Sequence, residues 1–296
     1  MITLAHISDI HLSPMPEVGF RDLLGKRLTG YLNWKLKRHG ELNSETLTSL
    51  VAHMREQNAD FTAVTGDLVN LAMPFEIERA GNWLRSLGPA DRVAVCPGNH
   101  DAYVPGALEA AQDDWGDYMR GETLDGAVFP FVRRIGELAV ISCSSAVPTR
   151  PFLAIGKFDE AQADRLSRIL KIMGEAGFYR AIMIHHPPVQ ELQHPSFGLK
   201  GHKLFRDVVA QNGAELILHG HTHRSSIHSI PGLGKEVPVV GVAAASAAQG
   251  GTLDDPARYN LFRIERNGEG WTCTMREFGF QRLGNDIVMR LQMRIN

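Results

Sequence analysis

Five short apolar runs in this chain each stop abruptly at residues that can bind a metal ion. Residues 2–8 are followed by Asp9-Ile10-His11, residues 61–65 by Gly66-Asp67, and residues 92–96 by Gly98-Asn99-His100-Asp101. Residues 179–184 lead into His185-His186, and residues 215–219 into Gly220-His221-Thr222-His223. The runs are apolar, rich in β-branched residues and bounded by turn signals, so they read as strands. Ligands of open α/β sheets gather beyond the carboxyl ends of the strands. Strands whose ends all face one way therefore bring five scattered blocks to one place.

The intervening segments carry helical periodicity. A helix starting at Ser44 places Leu47, Leu50, Val51 and Met54 on one face. Pro74 suits a first helical position, followed by Ile77, Ala80, Leu84 and Leu87 at core spacing. Residues 105–119 form a weakly patterned helix, and 131–135 with 138–143 form a hairpin turning at Gly136. Asp159 and Gln162 have the spacing of a capping box ahead of Ala163, Leu166, Ile169 and Leu170. Residues 203–210 form a further helix. From Ser226 the pattern is nearly all β, with a turn at 231–234 and a hairpin at Asn267-Gly268. No linker or internal repeat interrupts this, so residues 1–296 are expected to form one domain with two sheets flanked by helices.

Charge and cysteine content narrow the function classes. Lys+Arg number 31 against 33 Asp+Glu, which argues against a polycation that coats nucleic acid. The three cysteines are far apart with no CxxC, the first residues lack the pattern of a signal peptide, and no apolar run approaches the ~20 residues of a membrane span. A cytoplasmic protein with reduced thiols is the expectation.

The donor types select the ion. Carboxylate, amide and imidazole without thiolate suit Mn, Fe, Co or Zn, and so many imidazoles do not suit a Ca or Mg cage. Asp9, His11, Asp67, Asn99, His185, His221 and His223 are too many ligands for one open ion and about right for two.

The ordered set DxH, GD, GNHD, H and GHxH resembles the calcineurin-like metallophosphoesterases. The resemblance runs from Asp9 to His223 with all five blocks intact. It implies a four-layer α/β/β/α sandwich with a dinuclear metal centre. One ion is then expected on Asp9, His11 and His223, the other on Asn99, His185 and His221, with Asp67 bridging both. His100 is expected outside the metal shell beside the substrate, with Asp101 orienting its imidazole. Two divalent ions outweigh the charges of Asp9, Asp67 and a bridging hydroxide, leaving a centre that attracts phosphate. The reaction implied is in-line attack on phosphorus by that hydroxide, with His100 stabilising charge or protonating the leaving group.

The GNHD block resembles class III cyclic-nucleotide phosphodiesterases and glycerophosphodiesterases, which makes a small phosphodiester, such as a nucleotide, the expected substrate. A pyrophosphohydrolase of a nucleotide-linked lipid precursor is the alternative; that group carries GNRD where this chain has His100. A non-catalytic scaffold is the alternative from another class. Residues 12–43 are a helical insertion after the first strand. Within 20–40, Phe20, Leu23, Leu24, Leu28, Tyr31, Leu32 and Leu36 share one helical face, and Arg21, Lys26, Arg27, Lys35, Lys37 and Arg38 make the stretch basic, with Asp22 alone opposing them. Three roles fit it: packing on the domain, a lid or homodimer element beside the site, or contact with a membrane surface through Tyr31 and Trp34.

Overall fold

The computed structural model describes residues 1–15, 18–19, 23, 25–34, 42–248, 255–268, 270–281 and 286–296. In chain order the elements are β1 (Ile2–Ile7), α1 (Lys26–Asn33), α2 (Ser44–Glu56), β2 (Phe61–Val64), α3 (Pro74–Leu87), β3 (Val93–Val95) and α4 (Ala107–Trp115). There follow β4 (Phe131–Ile135), β5 (Leu138–Ser142), β6 (Gly156–Lys157), α5 (Glu160–Glu175), β7 (Tyr179–Met183), β8 (Leu199–Lys200), α6 (His202–Asn212) and β9 (Leu216–His219). The chain closes with β10 (Ser226–Pro231), β11 (Glu236–Gly241), β12 (Arg258–Asn267), β13 (Gly270–Phe280) and β14 (Ile287–Arg294).

Two mixed six-stranded sheets carry the fold, in the orders β14-β13-β12-β1-β2-β3 and β10-β11-β9-β7-β5-β4. β1, β2 and β3 run parallel in the first, and β5, β7, β9 and β11 in the second. The inner strands of the second sheet, β5, β7, β9 and β11, are largely apolar on both faces because both are covered. Ala181 and Met183 of β7 join the core shared with the first sheet, as do Leu138 and Val140 of β5. Their neighbours Ile182 and Ile141 face the other way, into a cluster with Leu166 and Leu170 of α5 and Phe205 and Val209 of α6. Leu50, Met54, Ala80 and Leu84 of α2 and α3 complete the shared core on the side of the first sheet. The result is the expected sandwich of two sheets flanked by helices.

Local expectations were met with small differences. The helix at Ser44 is capped one residue earlier, by Asn43, whose side chain accepts from the backbone N–H of Glu45 and Thr46. Asp159 does cap α5 by accepting from Gln162 N, but the Gln162 amide turns away to bond both backbone groups of Ser144. Tertiary contact thus takes half of the capping box. Strand β14 and the two-residue pair β6–β8 were not anticipated.

The insertion follows the first strand, as expected. Only α1 and a few neighbours are described; Phe20, Arg21, Asp22, Leu24, Lys35, Leu36, Lys37 and Arg38 lie outside the described residues. Of the apolar face, Leu23 is buried and Tyr31 packs against the core, while Leu28 and Leu32 are exposed at 39% and 51%. The helix docks through Arg27, which donates to the Leu71 and Ala72 carbonyls, and through Gly30, where an added Cβ would collide with the Tyr103 hydroxyl. Trp34 is buried, and no described helix is long and apolar enough to cross a membrane.

Across β7 and β9 the Arg180 guanidinium grips Glu215 with two bonds of 2.9 Å and reaches the Leu170 and Asn212 carbonyls. Both side chains are nearly inaccessible, at 11% and 7%. Truncating one partner leaves the other charge buried alone. Glu215→Ala is therefore expected to lose about 3–5 kcal/mol of unfolding free energy in urea titration, and Glu215→Gln clearly less.

Candidate metal centre

The five polar blocks meet where the sheets' strand ends converge. β1, β2 and β3 deliver Asp9, His11, Asp67 and Asn99 from one sheet; β7 and β9 deliver His185, His221 and His223 from the other. Backbone hydrogen bonds knit the loops together, with Asp9 N to Gly66 O, His11 N to Asp67 O and Gly220 N to His185 O at 2.9–3.1 Å. Asp9, His11, Asp67, His221 and His223 all have φ between 41° and 69°. Such values are uncommon for residues with a Cβ and mark backbone held against its preference. Turn geometry alone does not require them at five of the seven expected ligands.

Backbone carbonyls set the direction of the imidazoles. His11 Nδ1 lies 3.1 Å from Val69 O, His185 Nδ1 2.6 Å from Thr65 O, and His221 Nε2 2.7 Å from Phe197 O. A carbonyl only accepts, so each of these nitrogens carries the proton, and in the neutral ring the other nitrogen is a bare lone pair. Those lone pairs face one another and the site oxygens. His11 Nε2 is 3.3 Å from His223 Nε2; His185 Nε2 is 3.3 Å from Asp67 Oδ2 and 3.2 Å from Asn99 Oδ1; His221 Nδ1 is 2.9 Å from Asn99 Oδ1.

The donors form two groups sharing Asp67. Asp9, His11 and His223 bring ligand atoms within 4.8 Å of one another, and Asp9 Oδ1 is 3.2 Å from His223 Nε2. Asp67 Oδ2 reaches both His185 and His11, the latter at 3.8 Å, while Asn99 Oδ1 joins His185 to His221. Asp9 Oδ1 is buried, makes no hydrogen bond of good geometry and faces the His223 ring nitrogen, a setting that suits a cation. The whole pocket calls for positive charge. Burial disfavours charging the His185 ring, yet Asp67 outweighs it and lifts that imidazole to about 9, so Nε2 presents its bare lone pair only where a cation would take the place of the second proton. Asp9 and Asp67 are pulled below the ordinary carboxylate range by His223 and His185, against the opposing effect of burial. Buried carboxylates facing bare imidazole nitrogens, with no thiolate, fit a pair of first-row transition ions.

Around the donors sit residues of other kinds. A ring nitrogen of His100 lies within 4.8 Å of the His11 and Asp67 donors, and its Nδ1 is held at 2.5 Å by Asn70 O. Asp101 does not take the orienting role expected of it. Its oxygens accept from the backbone N–H groups of Asp67, Gly98, Leu68 and Val69, so it shapes the loop that carries Asp67. Glu76, which the sequence reading passed over, does the same for the following residues by accepting from Asn70, Leu71 and Met73 N. Its signal was available, since an acid two residues after an N-terminal proline is a capping pattern. His186 is no ligand: Ser145 Oγ and Ala154 O hold its two nitrogens, and its ring packs 4.3 Å from His221. His6 and His219, read as ordinary sheet residues, are wholly buried, and burial pushes them down to about 3 and 4. The carbonyl acceptors Val69, Thr65, Asn70 and Phe197 were invisible in the sequence, because any residue type supplies a carbonyl.

Comparison with known proteins places these observations. The family described as calcineurin-like phosphoesterase matches residues 2–225. A probable cyclic nucleotide phosphodiesterase of Synechococcus sp. is 25% identical over 271 residues, 90% of this chain and 89% of the relative. Among solved structures, a dimetal phosphatase from Danio rerio shares the fold with a TM-score of 0.64 at 12% identity, covering 97% of this chain and 98% of that one. A purple acid phosphatase from yellow lupin (Lupinus luteus) seeds superposes with a TM-score of 0.55 at 10% identity, over 94% of this chain and 51% of its own.

At Gly98 the backbone passes directly behind Asp67, and an added Cβ would collide with Asp67 Oδ1. Gly98→Ala is expected to displace that carboxylate. Metal content measured by mass spectrometry should fall below two ions per chain, while far-ultraviolet circular dichroism stays unchanged.

Proposed function

The chain belongs to the calcineurin-like phosphoesterase family, and from that premise we propose that it hydrolyses a small phosphodiester with two first-row transition ions, Mn, Fe, Co or Zn. That it is a metal-dependent hydrolase of the phosphoesterase type follows from the family and the clustered donors. The observation that carries the reading is Asp67 Oδ2, set between His185 Nε2 and His11 Nε2 as the shared oxygen of two donor groups. One ion would be held by Asp9, His11 and His223, the other by Asn99, His185 and His221, with Asp67 common to both. Ions so held supply Lewis acidity towards phosphoryl oxygens and acidify a water molecule.

The chain's own residues do the rest. Only two carboxylates serve as donors, so the centre keeps a positive surplus that draws an anionic ester. The Thr65, Val69 and Phe197 carbonyls keep the imidazoles aimed, which spares the site reorganisation as charge develops. His100 is placed to act on the substrate. With Nδ1–H given to Asn70 O, its Nε2 is free of that bond and able to carry a proton to the leaving oxygen. Asp101 works at one remove, through the backbone N–H groups that hold Asp67 in place. A phosphodiester is favoured because a poorly activated leaving alkoxide needs such an acid. The Synechococcus relative, described as a probable cyclic nucleotide phosphodiesterase, supports the same class.

Asp67→Ala and Asn99→Ala are each expected to abolish turnover of bis(p-nitrophenyl) phosphate with the fold retained; full activity in both would refute the site. On an alkyl phosphodiester, whose leaving alkoxide must be protonated, His100→Ala should lower kcat by about 10²–10⁴ while two ions remain bound, and on bis(p-nitrophenyl) phosphate by clearly less.

A further inference from the structure

The inserted helix borders a cavity of about 300 Å³ that shares Asn99 and His100 with the metal centre. α1 supplies Lys26, and the facing wall comes from the 149–154 loop, including Phe152. Two features of that wall are unusual for a passive surface. Phe152 is 87% exposed and held at φ 65°, a conformation that disfavours a bulky residue. Lys26 reaches from the helix to the loop, donating to Thr149 Oγ1 at 2.6 Å and Leu153 O at 3.5 Å, with its ammonium 4.2 Å from the centre of the Tyr103 ring.

Tyr103 ties this cation to the chemistry. Its ring stacks on His100 at 5.5 Å and 14°. Among the described residues the hydrogen-bond and ring partners of Lys26 are all neutral: a hydroxyl, a carbonyl and an aromatic face. Burial lowers its pKa to about 8, with distant Asp67 acting in the opposite direction. A partly desolvated ammonium in a largely apolar cavity is costly unless something anionic meets it. A wholly apolar ligand group would leave that cost standing. The cavity, at roughly ten water volumes, also admits one or two rings and not a long acyl chain.

Resting on the phosphoesterase reading above, we propose that this cavity receives the organic group of the ester and that Lys26 is its specificity-determining residue, reading a second anionic group on that part of the substrate. The preferred ester then carries a carboxylate, sulfate or further phosphate on a compact, ring-sized group, held between the Lys26 ammonium and Phe152. The insertion so contributes selectivity, while the strand-end loops contribute the reaction.

The test compares three non-hydrolysable ligands by calorimetry on metal-loaded protein: benzylphosphonate, 4-carboxybenzylphosphonate and the methyl ester of the latter. The carboxylate is expected to bind about tenfold or more tighter than its neutral methyl ester, the scale of one charge-assisted hydrogen bond. Lys26→Met and Lys26→Gln should bring that pair to within about twofold, and Lys26→Arg should keep part of the preference. Equal affinities in the unmodified protein, or a preference that survives in Lys26→Met, would overturn the assignment. Uniform weakening of all three in Lys26→Met would also overturn it, by placing the cation on the shared phosphonate. If none of the three binds to protein holding two ions, the phosphoesterase reading fails first and this inference with it.

Discussion

A dry knot of lone pairs dictates the rest of this molecule. Asp9, Asp67, Asn99 and the imidazoles of His11, His185, His221 and His223 place acceptors against acceptors at 2.9–3.8 Å. Such a cluster is tolerable only with positive charge at its middle. The left-handed backbone at five of its members and the collision awaiting a Cβ at Gly98 are the local consequences of forcing these groups together. Strain of this kind persists where the surrounding structure over-determines it. The surrounding structure here is the two sheets, each of which holds part of the donor set.

That division gives the sandwich interface a functional meaning. His185 leaves the second sheet, yet its Nδ1 is aimed by Thr65 O of the first. His221 N donates to Asp9 Oδ2 in the same crossing sense. Any slip between the sheets would part the shared Asp67 from one of its two groups. The core of Ala181, Met183, Leu216 and Leu218 against Leu4, Ile7 and Val64 therefore sets metal spacing as well as stability. Close-packed interiors transmit such displacements with little loss.

On the proposal made for Lys26, chemistry and selectivity occupy different parts of the chain. The strand-end loops carry the donor set, and Asp101 and Glu76 brace them through backbone N–H groups and not through the substrate. Among the described residues, α1 meets the centre through Tyr103, stacked on His100, and through the cavity it borders. Change in the insertion can thus alter what is bound without disturbing the centre.

Residue types and their order already determined much of this. Metal-binding side chains at the ends of short apolar runs made the layered α/β fold and the donor set readable, because strand ends are where such a fold exposes side chains together. The docking of α1 was decided by tertiary structure: its apolar stripe showed a face but not what that face meets, and the carbonyls of Leu71 and Ala72 hold Arg27 while Leu28 and Leu32 stay exposed. So was the task of Asp101, whose neighbour in sequence is His100 but whose neighbours in space are four backbone amides. Side-chain chemistry is written in the chain one letter at a time. Backbone carbonyls and amides are the same at every position, and only folding decides which of them meets an imidazole, a guanidinium or a carboxylate.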